Sequence, residues 1–182
     1  LYMCGLLGML AATGNVDQYV DALERSLPCM RHRGPDAAGT WHDGDAAFGF
    51  NRLSIIDLEH SHQPLRWGPE DQPDRYAMTF NGEIYNYVEL REELKGLGYT
   101  FHTEGDGEPI VVGYHHWGKD VVNHLRGMFG IVIWDTHTKT MFAARDQFGI
   151  KPLYYATTEA GTVFASEMKC ILEMADEIGL EL

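Results

Sequence analysis

Cysteine is scarce in this chain: Cys4, Cys29 and Cys170 are the three in 182 residues. They are too few and too scattered for a disulfide framework, and no Cys-x-x-Cys pair is present to hold a zinc. Basic residues are also short, with 14 Lys and Arg against 27 Asp and Glu, a net charge of −13. Surfaces for nucleic acid or anionic membrane need basic patches, so neither partner is expected. No run of about 18 apolar residues occurs, which excludes a membrane-spanning helix. The first apolar run is short and lacks a basic flank, so no signal peptide is read there. Neither Gly-x-x-x-x-Gly-Lys-Ser/Thr nor Gly-x-Gly-x-x-Gly occurs, and nucleotide binding lacks its usual support. These absences point to a reducing, cytoplasmic compartment.

What is present fits one globular domain. Hydrophobic residues make up 45%, enough at this length to bury a core without staples. Residues 4–11 read as an apolar strand. Val16, Val20, Leu23, Leu27 and Met30 recur at helical spacing, which predicts a helix from Asn15 to Met30. Arg31 to Asp36 is a polar turn around Gly34-Pro35. Strands follow near Gly39–His42 and Ala46–Phe50, then a loop rich in His and Pro through Gln72. Tyr76–Phe80 reads as a strand broken by Asn81-Gly82-Glu83. Helices are expected over Tyr87–Leu97 and Glu108–Trp117, and a short one through His124. Met128–Trp134, Thr140–Arg145, Leu153–Ala156 and Thr162–Ala165 read as strands. Ser166 is expected to cap a last helix. Strands and helices segregate along the chain, which favours an α+β class over alternating βαβ units.

Four positions could carry chemistry. Met3-Cys4-Gly5 offers a thiol beside a start methionine. With the preceding residues removed, Cys4 would own a free amine of pKa roughly 7.7–8.0. Such an amine can take the proton of the thiol tethered beside it; the competing reading is a small buried cysteine. Asn81-Gly82 ends in a helix, not a second strand, so it reads less as a hairpin turn than as paired donors for an oxyanion. Arg52 is a surface arginine or a planar fork for a carboxylate. Asp106 caps the next helix or accepts from an ammonium group. His60-x-His62 and His115-His116 have no ligand partner at a suitable spacing, so no metal is expected.

The ordered pieces resemble the glutaminase domain of the class II glutamine amidotransferases, in the version of glutamine-hydrolysing asparagine synthetases. They are Met3-Cys4-Gly5, Arg31-His32-Arg33-Gly34-Pro35-Asp36, Arg52-Leu53-Ser54-Ile55-Ile56-Asp57, Asn81-Gly82-Glu83-Ile84-Tyr85-Asn86 and Gly105-Asp106-Gly107-Glu108. Arg145 to Tyr155 and Ala165-Ser166-Glu167-Met168-Lys169 complete the set. The resemblance implies a four-layer αββα N-terminal-nucleophile (Ntn) hydrolase sandwich with two mostly antiparallel sheets, over residues 3–182. It implies Cys4 as nucleophile with its own amine as base, and Asn81 and Gly82 as oxyanion hole. Arg52 would hold the carboxylate of L-glutamine and Asp106 its amine. Leu53, Ser54, Ile55, Ile56 and Glu83, with Asn81 and Gly82, would line the pocket.

The same resemblance implies that glutamine is hydrolysed to glutamate and ammonia without a cofactor in this domain. An ATP- and Mg-dependent synthetase domain, absent from the sequence, would use the ammonia; a different ammonia acceptor and a non-catalytic module are the competing readings. Leu1-Tyr2 would be an appended remnant before the natural start. Oligomeric state is open, a homodimer included.

Overall fold

A computed structural model describes residues 4–53 and 62–181. Two antiparallel sheets form its middle. The first has five strands: β1 (Gly5–Ala11), β2 (Ala37–His42), β3 (Ala46–Arg52), β8 (Tyr154–Thr158) and β9 (Gly161–Ala165), ordered β2-β3-β1-β9-β8. The second has four: β4 (Leu65–Trp67), β5 (Tyr76–Ile84), β6 (Gly127–Asp135) and β7 (Thr140–Arg145), in that order. Helices α1 (Asp17–Ser26), α4 (Met168–Glu173) and α5 (Ala175–Ile178) belong to the first sheet, α2 (Tyr87–Gly96) and α3 (Glu108–Trp117) to the second.

Alternation along the strands explains the layering. Leu7 and Met9 of β1 pack with Leu23 of α1 and Ile171 of α4. Leu6, one step before Leu7 and so on the opposite face, joins Phe48 and Phe50 of β3 and Ala77, Val132 and Trp134 of the second sheet. Met78 and Phe80 of β5 turn the other way, against Leu90 and Leu94 of α2 and Ile110 of α3. The order is therefore helix, sheet, sheet, helix, the αββα sandwich expected, and β1 is apolar on both faces because it is covered on both.

Four local expectations are corrected. Asn81-Gly82-Glu83 does not break its strand: β5 runs on to Ile84, with Asn81 opposite Gly130, Gly82 opposite Phe129 and Ile84 opposite Gly127. A Cβ on Gly82 would strike the Met128 carbonyl and the Phe129 backbone, so the glycine serves a close cross-strand approach, not a turn. The predicted Asn15–Met30 helix is split, because Pro28 turns Leu27–Met30 into a 3-10 segment. Ser166 does not cap α4; Glu167 holds the N-cap position without a side-chain bond, and the Ser166 hydroxyl accepts from the Leu6 N–H at 3.1 Å. The three-residue β4 lies where only a loop was expected, since so short a strand leaves no periodic pattern.

Candidate active site

The first sheet sets the nucleophile position. Gly5 of β1 pairs with Asn51 of β3, so one further step puts Cys4 beside the end of β3 at Arg52. The contacts agree. The Leu53 N–H points at Cys4 Sγ at 3.3 Å, and the Leu53 carbonyl lies 3.5 Å from the same sulfur. Cys4 packs against the apolar cluster between the sheets, as Leu6 does.

Arg52 follows Phe48 and Phe50 at even spacing and shares their inward face, with 8% of its surface exposed. Asn51, one step away, turns outward and donates to the Leu27 carbonyl at 2.7 Å. On the facing sheet, Asn81 lies on the same side of β5 as Ala77 of the inter-sheet cluster, and so faces Cys4's sheet. Asn81 is 1% exposed, and its Nδ2 is buried without a hydrogen-bond partner among the described residues. An orphaned buried donor costs about 1–3 kcal/mol. Such a group asks for a reason outside the resting fold.

Asp106 precedes α3 but does not cap it. Its Oδ2 accepts the Ile84 N–H at 3.0 Å, which draws the carboxylate to the end of β5 beside exposed Glu83. Burial, first of all, raises the Asp106 carboxyl above its ordinary value; the Ile84 N–H opposes this and the Glu83 charge adds to it. Burial also raises the Cys4 thiol, the Leu53 bond and the Arg52 cation work against the rise, and the Asp106 charge works with it. Cys4, Arg52 and Asp106 thus share one electrostatic neighbourhood. A thiol raised in this way is protonated at neutral pH and needs a base before it can attack.

Of the sequence-predicted site residues, Cys4, Arg52, Leu53, Asn81, Gly82, Glu83 and Asp106 lie at this end of the sandwich. Ser54, Ile55 and Ile56 lie outside the described residues. The histidine pair has other work: His115 Nδ1 meets the Tyr76 hydroxyl at 3.0 Å and His116 Nδ1 the Tyr99 hydroxyl at 3.1 Å. Among the described residues no group of three His, Cys, Asp or Glu side chains is placed to hold a metal ion, and no helix is long and apolar enough to cross a membrane.

Sequence reasoning missed two residues beside Cys4. Arg33 donates from Nε to the Cys4 carbonyl at 3.2 Å and from Nη1 to Glu167 Oε1 at 2.8 Å. Lys151 is 2% exposed. Burial lowers its pKa first, then the Arg33 cation, while Glu83, Asp146 and Cys4 act in the opposite sense. Asp146 holds the loop that carries Lys151 in, accepting from the Phe148, Ile150 and Lys151 N–H groups at 3.2, 2.9 and 2.9 Å. Both residues lie within motifs already quoted, but nothing in those motifs says which side chain turns toward Cys4.

The chain matches the glutamine amidotransferase domain over residues 3–180 and belongs to that family. A Mycobacterium tuberculosis relative provisionally named asparagine synthetase (glutamine-hydrolyzing) is 55% identical over 190 residues, covering 98% of this chain and 29% of the relative. Asparagine synthetase (glutamine-hydrolyzing) 1 of Bacillus subtilis is 42% identical over 184 residues, covering 98% of this chain and 28% of its own length. The chain therefore spans less than a third of these relatives. Among solved structures, the glutamine phosphoribosylpyrophosphate amidotransferase of Bacillus subtilis superposes with a TM-score of 0.71 at 22% identity, covering 97% of this chain and 44% of that one. That likeness shows the fold, an Ntn-hydrolase sandwich.

Proposed function

We propose that this domain hydrolyses L-glutamine to glutamate and ammonia, with Cys4 as nucleophile. The observation that carries the reading is the Asn81 Nδ2, buried, without a hydrogen-bond partner among the described residues, and turned toward the sheet whose strand β1 follows directly on Cys4. The α-amine of a chain beginning at Cys4 takes the thiol proton. The thiolate attacks the side-chain carbonyl carbon of glutamine, and the oxygen becomes an oxyanion that the Asn81 Nδ2–H and the Gly82 N–H receive. The C–N bond breaks as the protonated amine returns its proton to the leaving nitrogen. Ammonia departs and a thioester remains. Water, deprotonated by the same amine, then cleaves the thioester to glutamate and regenerates the thiol. Arg52 holds the α-carboxylate of the substrate and Asp106 its ammonium group, with Leu53, Ser54, Ile55, Ile56 and Glu83 lining the pocket.

The ammonia is used by a further part of a longer polypeptide. The high identity to asparagine synthetases, over less than a third of their length, supports an ATP- and Mg-dependent synthetase part that converts aspartate to asparagine. The glutaminase reading is tested by incubating the chain beginning at Cys4 with glutamine. Equal amounts of glutamate and ammonia are expected, and none from Cys4→Ala. Equal product from Cys4→Ala, or none from the wild type, would overturn it.

A further inference from the structure

Ser166 and Glu167 carry the chain on past the end of the β9–β1 strand pairing and keep it beside Cys4. β9 stops at Ala165, opposite Leu7. Ser166 continues the hold by other means: its N–H donates to the Leu6 carbonyl at 2.9 Å, and its hydroxyl accepts the Leu6 N–H at 3.1 Å. Glu167 reaches one residue pair further. Its Oε1 accepts from Arg33 Nη1 at 2.8 Å, 134 residues away in sequence, and lies 3.4 Å from His32 Nε2. Arg33 uses the adjacent edge of the same planar group, Nε, on the Cys4 carbonyl at 3.2 Å.

We propose that Glu167 is a positioning residue for the nucleophile, acting through Arg33 on the Cys4 carbonyl. This rests on the glutaminase reading above. The thiol and the α-amine hang from the same Cα as that carbonyl, so fixing the carbonyl fixes the direction of both. A guanidinium held at one nitrogen can swing about its stem. Held at two adjacent nitrogens it cannot, because the group is planar. Side-chain exposures of 11% for Arg33 and 25% for Glu167 keep the pair out of the fully screened range, where ion pairs contribute little. Burial works to raise the Glu167 carboxyl, but the Arg33 bond and charge, together with the charges of Lys169 and His32, outweigh it and hold it below its ordinary value, so it is a carboxylate at neutral pH. Without Glu167 the Cys4 carbonyl loses its fixed donor, and the thiol and amine are no longer aimed at one point.

The test compares Glu167→Ala, Arg33→Met and the double variant, each in the chain beginning at Cys4. A misplacement on the order of 1 Å can lower a rate by about 10²-fold. Glu167→Ala is therefore expected to lower glutaminase kcat by up to about that factor with KM nearly unchanged, and to slow alkylation of Cys4 by iodoacetamide. In the Arg33→Met background the same change is expected to add nothing, since groups acting in one chain of contacts are not additive. Unchanged kcat and alkylation in Glu167→Ala, or a full additional loss on top of Arg33→Met, would overturn the proposal. Should Glu167→Ala fail to fold, Glu167→Gln decides. It keeps the shape and one acceptor but loses the charge, and is expected to show the same changes more weakly; wild-type behaviour in both readouts would overturn the proposal. Alkylation reads the thiol without glutamine, so a failed glutaminase reading and a failed relay give different results.

Discussion

The Leu53 N–H lies 3.3 Å from Cys4 Sγ, across two strands that meet through Gly5 and Asn51. The sulfur at the start of β1 is thereby held by backbone at the end of β3. The next residue back along β3 is Arg52, turned into the same space. Cys4 and Arg52, the proposed nucleophile and the proposed carboxylate fork, are fixed to each other by strand register, not by a loop.

Asn81 separates binding from catalysis. The charge it is proposed to receive exists only after attack, so its loss should act on the transition state more than on bound glutamine. Removing one such donor costs about 10²–10³ in rate, or about 2.7–4 kcal/mol. Asn81→Ala is expected to lower kcat by roughly that factor with KM changed far less. Steady-state glutaminase kinetics read this directly. A large rise in KM at unchanged kcat would assign Asn81 to substrate binding. The variant also removes a buried orphan donor, so it should be at least as stable as the wild type in a thermal melt.

Arg52 tests the recognition of free glutamine. A charge-assisted hydrogen bond contributes about 1.5–3 kcal/mol. Arg52→Ala should therefore raise KM by roughly tenfold to a hundredfold, while leaving kcat much nearer the wild type. Unchanged glutamine kinetics would return Arg52 to a structural role at the end of β3.

Gly82 has a steric consequence that can be measured without substrate. A Cβ there meets the backbone of Met128 and Phe129, and backbone cannot move aside as a side chain can. Gly82→Ala is expected to destabilise the fold by about 1–3 kcal/mol, the usual cost of overpacking. Chemical denaturation checks it; a wild-type midpoint would mean that β5 and β6 separate easily at this point.

Asp106 gives a pH signature. Its carboxyl is raised in the folded chain, chiefly by burial, so the fold prefers it neutral. Its contribution to stability is complete below the ordinary value of 3.8 and is lost as pH rises through the folded value. At neutral pH the charged carboxylate is then a cost that a neutral residue avoids. Asp106→Asn should melt higher than the wild type at pH 7, with the gap closing as pH approaches 3.8, and should bind glutamine more weakly. A lower melting temperature at neutral pH would contradict this account.

Much of this was legible in the sequence, for identifiable reasons. The layers could be read because strands and helices carry different periods, as the alternation of Leu6 and Leu7 shows. Amphipathic α1 declared its buried side in the same way, whereas in α2 Leu90 and Leu94 are buried but Leu97, at the same spacing, is exposed. β5 was cut short because Asn-Gly has strong turn chemistry; the pairing to β6 overrides it, and the glycine is needed for close approach. The Ser166 cap failed for a similar reason, as its hydroxyl bonds across to Leu6. Cys4, Asn81, Arg52 and Asp106 could be nominated because each sits in a short run with its own chemical logic. Arg33 and Lys151 could not, since what matters is the direction of one long side chain. Nothing local says that an arginine in a polar turn will meet a glutamate 134 residues away.

The central claim is that Cys4 attacks with its own α-amine as base. Burial raises the resting thiol above its ordinary value, so a base is required, and an acylated amine cannot serve. Two preparations of defined mass should be compared for glutamate release from glutamine, one beginning at Cys4 and one retaining Leu1-Tyr2-Met3. The account predicts turnover only in the first. Equal rates in the two would show that the amine is not the base and would contradict the mechanism.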